Sequence, residues 1–445
     1  MTLAHDTPVA LQVWRERILH AQAQGETLAW RGLGSKDFWT QARRAQPCSV
    51  ISTEGLGQDI EHEASELYVR VQAGARLSQV QAVLAAAGQC LAFEPPSFEV
   101  PGQSHGNTDA SVGGMVACGL SGPARVSSGS LRDHVLGVSL INGRGEYLQF
   151  GGQVMKNVAG YDVSRVLCGS WGMLGLITQV SFKVLPQAPC EESLQVRLSA
   201  AQALALLSQW GTRAWPLHAS VWMASEALDA QEGVEGVEAV EVPSAIQDWR
   251  GEPGNALGVW TLRFRGARAS VKASLASLHA EFKQLGLVGV ELSHHDALTL
   301  WASVRDQRMR FFKTPAPVRG SGASPPSSSP PSSPVLWRLS LPLAEQYRAR
   351  ALPSVATTLM EWHGALRWFW APLSLGEQLR HEARQIGAQL SLWRTAPGLA
   401  LETLEGSESF PSLLRPDLTR VSAQIQSQIQ HAFDPHGVFD KGCLF

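Results

Sequence analysis

Three glycine-rich segments, the first straight after a strand-like run and the third leading into one, constrain this chain more than any other feature. They are Arg31-Gly32-Leu33-Gly34-Ser35-Lys36, Ser111 to Gly122 (SVGGMVACGLSG) and Gly169 to Ile177 (GSWGMLGLI). Glycines let backbone N–H groups approach a pyrophosphate closely, and a Ser hydroxyl and a Lys charge can complete such a cradle. The first segment is neither a GxxxxGK[ST] phosphate loop nor a GxGxxG dinucleotide fingerprint. Taken singly, each segment also fits a tight turn or a place where helices or strands pack closely. Their order and spacing along the chain are what carry the signal.

The surrounding pattern mixes helices and strands. Leu11, Trp14, Ile18 and Leu19 recur at helical spacing over 11–23, and TLAWR then reads as a strand entering the first glycine turn. Residues 67–73 alternate Leu67, Val69, Val71 and Ala73, a half-buried strand broken by Gly74. Leu77, Val80, Leu84 and Ala87 share one helical face over 77–87, with Gly88 as a stop. Strands over 135–141 and 146–150 flank an Asn142-Gly143 turn, a hairpin signal, and a further strand over 176–185 ends at Pro186. This alternation predicts an α+β fold. The stretch 94–134 is rich in Gly, Ser and Pro yet holds Val112, Met115, Val116 and Leu120, which suits ordered loops wrapped round a ligand. Residues 314–334 (TPAPVRGSGASPPSSSPPSSP) have nothing to bury and read as a flexible insert between two strand-like runs, MRFF and VLWRLSL. An insert at a hairpin tip costs little stability, because loop-closure entropy grows slowly with length.

Composition removes whole classes of function. With 445 residues, 44% apolar and 17% charged, the chain can fill two or three cores and is neither disordered nor a coiled coil. A net charge of −2 gives no global pull toward nucleic acid or acidic lipid. The six cysteines (Cys48, Cys90, Cys118, Cys168, Cys190, Cys443) form no CxxC pair, which argues against an iron–sulfur cluster or structural zinc in this chain. The opening MTLAHDTPVALQVWRERILHA lacks a continuous apolar core, and no run of about 18 apolar residues occurs anywhere, so neither a secretory signal nor a membrane-spanning helix is expected. The expected setting is the cytoplasm, with free thiols and any membrane contact made through a partner.

RGLGSK, then ASVGGMVACGLSG with SLRDHVLGVSLING, then MKNVAGYDVSRVLCGSWGMLGLIT, together resemble the FAD-binding domain of the vanillyl-alcohol oxidase (PCMH-type) family. CLAFEPPSF, GGMVACGLSGPAR, FGGQVMKNVAGYDVSR, GALRW at 364–368 and the closing FDPHGVFDKGCLF resemble the FAD-binding E subunits of bacterial glycolate oxidases. The similarity is dense over roughly 26–187 and 431–445, with islands between. It implies a two-lobed PCMH-type FAD-binding domain over 1–187, with the flavin between the lobes. An α+β cap domain over 188–430, antiparallel sheet with helices, and a segment 431–445 returning to the FAD domain complete the expected architecture.

The resemblance also assigns residues. Gly32, Leu33, Gly34, Ser35 and Lys36 match the pyrophosphate loop; no His stands there, which implies noncovalent FAD. Ser111, Gly113, Gly114 and Cys118 match positions approaching FAD in the wider family, as do Gly129, Gly172 and Ile177. Gly119 stands where an Asn is common, implying one fewer hydrogen bond to FAD, and Asp440-Lys441 replace the Asn-Pro of the family's usual Asn-Pro-Gly ending, with Gly442 kept. Implied partners are a second flavin subunit (D) and an iron–sulfur subunit (F), with glycolate, a small 2-hydroxy acid, as substrate and electrons passing toward the respiratory chain.

The catalytic side is thinner. Oxidising a 2-hydroxy acid needs a cation for the carboxylate and a base for the hydroxyl. Catalytic relatives carry a His-rich stretch followed by GDGN; this sequence has no GDGN. Arg367 in GALRW is a candidate carboxylate ligand, and equally a salt-bridge or subunit contact. Lys156, Asn157, Tyr161 and Asp162 are candidates for the flavin pocket, while Tyr161 also fits a core aromatic. His294-His295 lack a third ligand nearby and read as a solvated helix start, and His436 as a turn residue. Trp301, Trp337, Trp362, Trp368, Phe369 and Trp370 fit a cap-domain core or a subunit interface. Three readings stay open: a redox-active FAD subunit, a structural subunit of the same complex, and a self-sufficient oxidase of another hydroxy acid.

Overall fold

A computed structural model of the chain describes residues 4–5, 8–40, 48–99, 109–152, 161–225, 257–313, 334–342, 345–347, 352, 354–355, 358–395 and 418–440. The insert 314–334 lies outside them except for Pro334. Two compact units emerge, Met1–Gln187 with Leu418–Phe445, and Ala188–Asp417.

In the first unit the strands are β1 (Ala4–His5), β2 (Leu28–Arg31), β3 (Ser49–Ser52), β4 (Ile60–Glu63), β5 (Tyr68–Gln72), β6 (Gln89–Cys90), β7 (Val135–Ile141), β8 (Tyr147–Gly151), β9 (Leu176–Lys183) and β10 (Leu185–Pro186). One lobe is the parallel pair β2–β3 under the Gln12–Gln24 helix. That helix stops at Gly25, whose φ of +67° is left-handed and suits glycine. The other lobe is an antiparallel six-stranded sheet in the order β1-β8-β7-β9-β5-β4, with the small pair β10–β6 beside it. Alternation in β5 buries Val69 and Val71 fully, and Leu77, Val80 and Leu84 of the Leu77–Ala86 helix bury in the same core. Each such side chain contributes about 1.5–3 kcal/mol of hydrophobic stabilisation.

Two local details differ from the sequence pattern. In the β7–β8 hairpin the left-handed residue is Gly145 (φ +72°), not Gly143, because Asn142 spans a longer loop through its backbone N–H to Glu146 O and its Oδ1 to the Arg144 and Glu146 amides. Gly143 serves close approach instead: a Cβ there would overlap the Asp434 carboxylate, and the Gly143 amide donates to Phe433 O at 3.0 Å. That contact helps explain where the chain returns to the first unit. The sequence pattern marks 431, but the unit takes in Leu418 onward. The helix Arg420–Phe433 already packs Ile429 and Phe433 on the six-stranded lobe's core.

The second unit holds β11 (Cys190–Ser199), β12 (Leu217–Ala224), β13 (Leu257–Gly266), β14 (Gly289–Glu291), β15 (Pro334–Ser340), β16 (Leu359–Glu361), β17 (Leu366–Pro372) and β18 (Gln389–Thr395). They form one antiparallel sheet, β14-β11-β13-β12-β16-β17-β15-β18, packed by the helices Ala200–Trp210, Arg268–Gln284, His294–Arg305 and Gly376–Gln385. VLWRLS is indeed a strand. MRFF is not: Arg310–Lys313 form a short helix that buries Phe311 and Phe312, and Trp370 Nε1 donates to Phe311 O at 2.7 Å. Trp222, Trp260, Trp337 and Trp368 are fully buried, and the indole N–H groups of Trp222, Trp337 and Trp368 donate to Leu198 O, Ala371 O and Glu361 Oε1.

Candidate functional site

The first glycine segment begins where β2 ends. Arg31 closes over it with an ion pair to Asp37 Oδ2 at 2.7 Å, and Asp37 and Trp39 turn the chain by donating to Gly34 O and Lys36 O. Gly34 has φ +78°, and a Cβ on it would meet the Arg31 guanidinium. Among the described residues, the amides of Gly32, Leu33, Gly34 and Ser35 donate to no backbone carbonyl. Successive unbonded amides of this kind form a concave anion site. Lys36 is only 8% exposed; its Nζ donates to Ser35 Oγ at 2.8 Å and to Pro96 O at 3.5 Å, and lies over the Phe98 ring.

The second segment lies directly beneath. A Cβ on Gly32 would overlap the Ser111 hydroxyl. Ser111 caps the Val112–Cys118 helix, its Oγ accepting from the Gly114 amide at 3.2 Å. Gly113 donates to Ala73 O at 2.9 Å, and a Cβ on it would stand 2.9 Å from the Ala73 methyl, so only glycine lets this helix sit against the end of β5. Burial pushes the Cys118 thiol up to about 11, with the Lys36 ammonium pulling the other way; the lysine of the first segment thus acts on the second.

The third segment binds both. Gly169 and Trp171 amides donate to Val116 O and Ala117 O at 3.0 and 2.8 Å, and a Cβ on Gly119 would stand 2.8 Å from the Gly169 nitrogen. Gly172 (φ +83°) lies against Trp30 of β2, and the Trp171 ring stacks on Trp39, centroids 3.8 Å apart. The structure therefore brings together Gly32 to Lys36, Ser111, Gly113, Gly114, Cys118 and Gly172. Gly129 and Ile177 stand apart from these contacts. Gly129 ends the short Arg125–Ser128 helix beside Asp133, and Ile177 is a buried core residue of β9 opposite Leu140. The sequence pattern does not single out Trp30, Trp39 and Trp171, which join the segments; the available signal is Trp171 inside the glycine-rich run Gly169-Ser170-Trp171-Gly172.

The catalytic candidates do not converge. Lys156 and Asn157 lie outside the described residues, as do Lys441 and Gly442. Tyr161 is 95% exposed and is no core aromatic, and Asp162 pairs with Arg165 at 2.8 Å. Arg367 is 1% exposed within the second unit, donating to Gly364 O and Gln346 O, which disagrees with a role as an open carboxylate ligand. His436 is exposed; Asp434 fixes that turn, its two carboxylate oxygens accepting from the Val438 and Phe439 amides at 2.9 Å. The same turn lays Phe439 beside Leu28 of β2, and the Asp440 amide donates to Leu28 O. His294 and His295 are exposed at a helix start capped by Ser293, and no group of three metal-ligating side chains occurs among the described residues.

Four successive amides that donate to no backbone carbonyl among the described residues, beside a buried ammonium, fit the pyrophosphate of a bound dinucleotide. The fold and this junction define a flavoprotein domain. Residues 14–151 match the family model described as an FAD binding domain. Alkyldihydroxyacetonephosphate synthase has a similar fold, with a TM-score of 0.59 at 12% identity, covering 97% of this chain and 75% of that one. The chain is 31% identical to glycolate oxidase subunit GlcE of Escherichia coli, over 98% of this chain and 97% of that protein. It is also 26% identical to glycolate oxidase subunit GlcD of Bacillus subtilis, over 33% of this chain and 29% of that protein. The chain belongs to the GlcE family of FAD-binding glycolate oxidase subunits. Among the described residues, no helix is long and apolar enough to cross a membrane.

Proposed function

We propose that this chain is the FAD-binding E-type subunit of a glycolate oxidase, working with a GlcD-like flavin subunit and an iron–sulfur subunit. Likeness to GlcE from end to end is the observation that carries the reading. In this reading the Gly32–Ser35 amides and the Lys36 ammonium neutralise the pyrophosphate, and Gly113, seated on Ala73, and the Ser111 cap hold the second segment beneath it. FAD, when bound, supplies a two-electron acceptor. Oxidation of glycolate to glyoxylate removes two electrons and two protons; the electrons leave through the iron–sulfur partner, which agrees with the absence of a CxxC pair in this sequence.

The missing GDGN and the burial of Arg367 favour placing substrate chemistry on the GlcD-like partner. The test is the visible spectrum of the purified chain, before and after acid precipitation and then with glycolate. Flavin released into the acid supernatant establishes noncovalent FAD. Bleaching by glycolate in the isolated chain would move the chemistry onto this subunit; bleaching only after the partner is added keeps it there. A folded, colourless chain that takes up no FAD leaves a structural subunit.

A further inference from the structure

We propose that Trp171 is a positioning residue for the flavin cofactor, its ring clamping the Lys36 end of the first glycine segment to the third segment. The proposal rests on FAD occupying the three-segment junction. Trp171 stacks on Trp39 with centroids 3.8 Å apart and ring planes 20° from parallel. Trp39 is 8% exposed, and its amide donates to Lys36 O at 2.9 Å, so the ring that Trp171 holds belongs to the turn that aims the buried ammonium. From the other side, the Trp171 amide is fixed to Ala117 O, next to Cys118.

Backbone geometry makes the choice of residue informative. Trp171 has φ +53°, between Gly169 at +85° and Gly172 at +83°. A left-handed conformation is costly for a bulky side chain and free for glycine. A third glycine would serve a mere turn at lower cost. Trp171 adopts this conformation while its ring stacks, among the described residues, on that of Trp39 alone.

The test uses the full-length apo-protein, titrated with FAD by flavin fluorescence, and four variants. Trp171→Ala and Trp171→Gly remove the ring; Trp171→Gly also relieves the left-handed strain. Trp171→Phe keeps an aromatic face. Trp210→Phe is the control, since Trp210 stacks on Trp260 in the second unit, centroids 5.3 Å apart. Circular dichroism of the apo-protein supplies a readout independent of FAD, because closely stacked indoles give an exciton couplet. Subtracting the Trp171→Ala spectrum from the native one should reveal that couplet. Both ring-deleting variants should bind FAD about tenfold more weakly, the upper range for an aromatic pair. Trp171→Phe should recover most of the affinity, and Trp210→Phe should leave it unchanged.

A residue that only holds the fold predicts otherwise. Trp171→Gly would then regain FAD affinity in step with its thermal stability, which overturns the proposal. So would native affinity in Trp171→Ala, or a difference spectrum without a couplet. Native chain that takes up no FAD removes the cofactor reading itself, and the proposal with it; native uptake with unaffected variants removes the positioning role alone.

Discussion

Both units bury cations, and they set them in different surroundings. In the first unit the Lys36 ammonium, which donates to Ser35 Oγ and Pro96 O and lies over the Phe98 ring, ends a loop whose Gly32 to Ser35 amides donate to no backbone carbonyl among the described residues. In the second, Arg367 donates to the backbone carbonyls of Gly364 and Gln346, and Arg338 lies over the rings of Trp362, Trp368 and Trp393. Burial alone therefore does not mark a ligand site. What marks the first cation is the row of amides beside it, which calls for an anion from outside, and not its carbonyl and ring contacts, which the guanidiniums share.

The junction can be broken most severely at Gly119. Its φ of +63° and the 2.8 Å approach of the Gly169 nitrogen leave no room for a methyl group. Gly119→Ala should cost about 4 kcal/mol, the sum of a left-handed residue and an overpacked contact. FAD retention should fall with it. Urea denaturation of native and variant apo-protein measures the first, flavin content after gel filtration the second. A variant that keeps both would mean that the second and third segments do not touch.

The second unit should respond to pH instead. Burial pushes the Glu361 carboxyl up from 4.5 to about 7, while Trp368 Nε1, donating at 2.8 Å, and Arg338 oppose the rise. The folded chain thus holds this proton more tightly than the unfolded chain, and the group's contribution to stability falls as pH rises from 4.5 to 7. His363, whose Nδ1 lies 2.8 Å from Ser220 Oγ, is pushed down from 6.5 to about 4 by burial, so its contribution falls as pH drops through that window. Between pH 4.5 and 6.5 the two slopes oppose. Glu361→Gln keeps an acceptor for Trp368 and removes the first slope. The variant should be more stable than the native chain by about 3 kcal/mol at pH 8, with the difference gone near pH 4.5. A difference constant with pH would show that Glu361 is ionised in the fold at every pH tested.

A paired substitution sharpens the contrast between the cations. Lys36→Met should weaken FAD binding about 30-fold, the loss of about 2 kcal/mol from one charge-assisted contact, and should cost about 1 kcal/mol in stability because Pro96 O loses a donor. Arg367→Met should leave two buried carbonyls short of a donor at about 2 kcal/mol in stability while FAD affinity holds. Titration calorimetry and thermal melts on both variants check the difference. If Arg367→Met lowers FAD affinity as much as Lys36→Met does, the two cations serve one site.

Local periodicity made much of the first unit legible. Val69 and Val71 alternate, Leu77, Val80 and Leu84 recur at helical spacing, and the glycine segments punctuate strand ends. The site was legible as three segments, since each carries its own glycines, but not as one junction. What joins them is a Trp on Trp, a Gly on Ser and a Gly on Gly, contacts between residues far apart in the chain with no periodic trace. Gly143 shows the same limit: the Asn142-Gly143 pair reads as a turn, and only the fold shows that Asp434 needs the space. MRFF misled because Phe311 and Phe312 are buried side by side, a pattern that a strand open on one face would not show and a short helix under β17 does.

The smallest effect is expected at the residues that look most like a metal site. His294 and His295 open the His294–Arg305 helix, both exposed, with Ser293 capping through the Asp296 amide at 3.2 Å. Neighbouring positions on a helix point to different faces, so the two imidazoles cannot easily share one ion. Surface substitutions clear of caps and cores stay within about 0.5 kcal/mol. His294→Ala with His295→Ala should therefore leave the melting temperature and FAD affinity unchanged, and added zinc should shift neither the native chain nor the variant. A zinc-dependent rise in the native melting temperature that the double variant loses would show a metal site at this helix start.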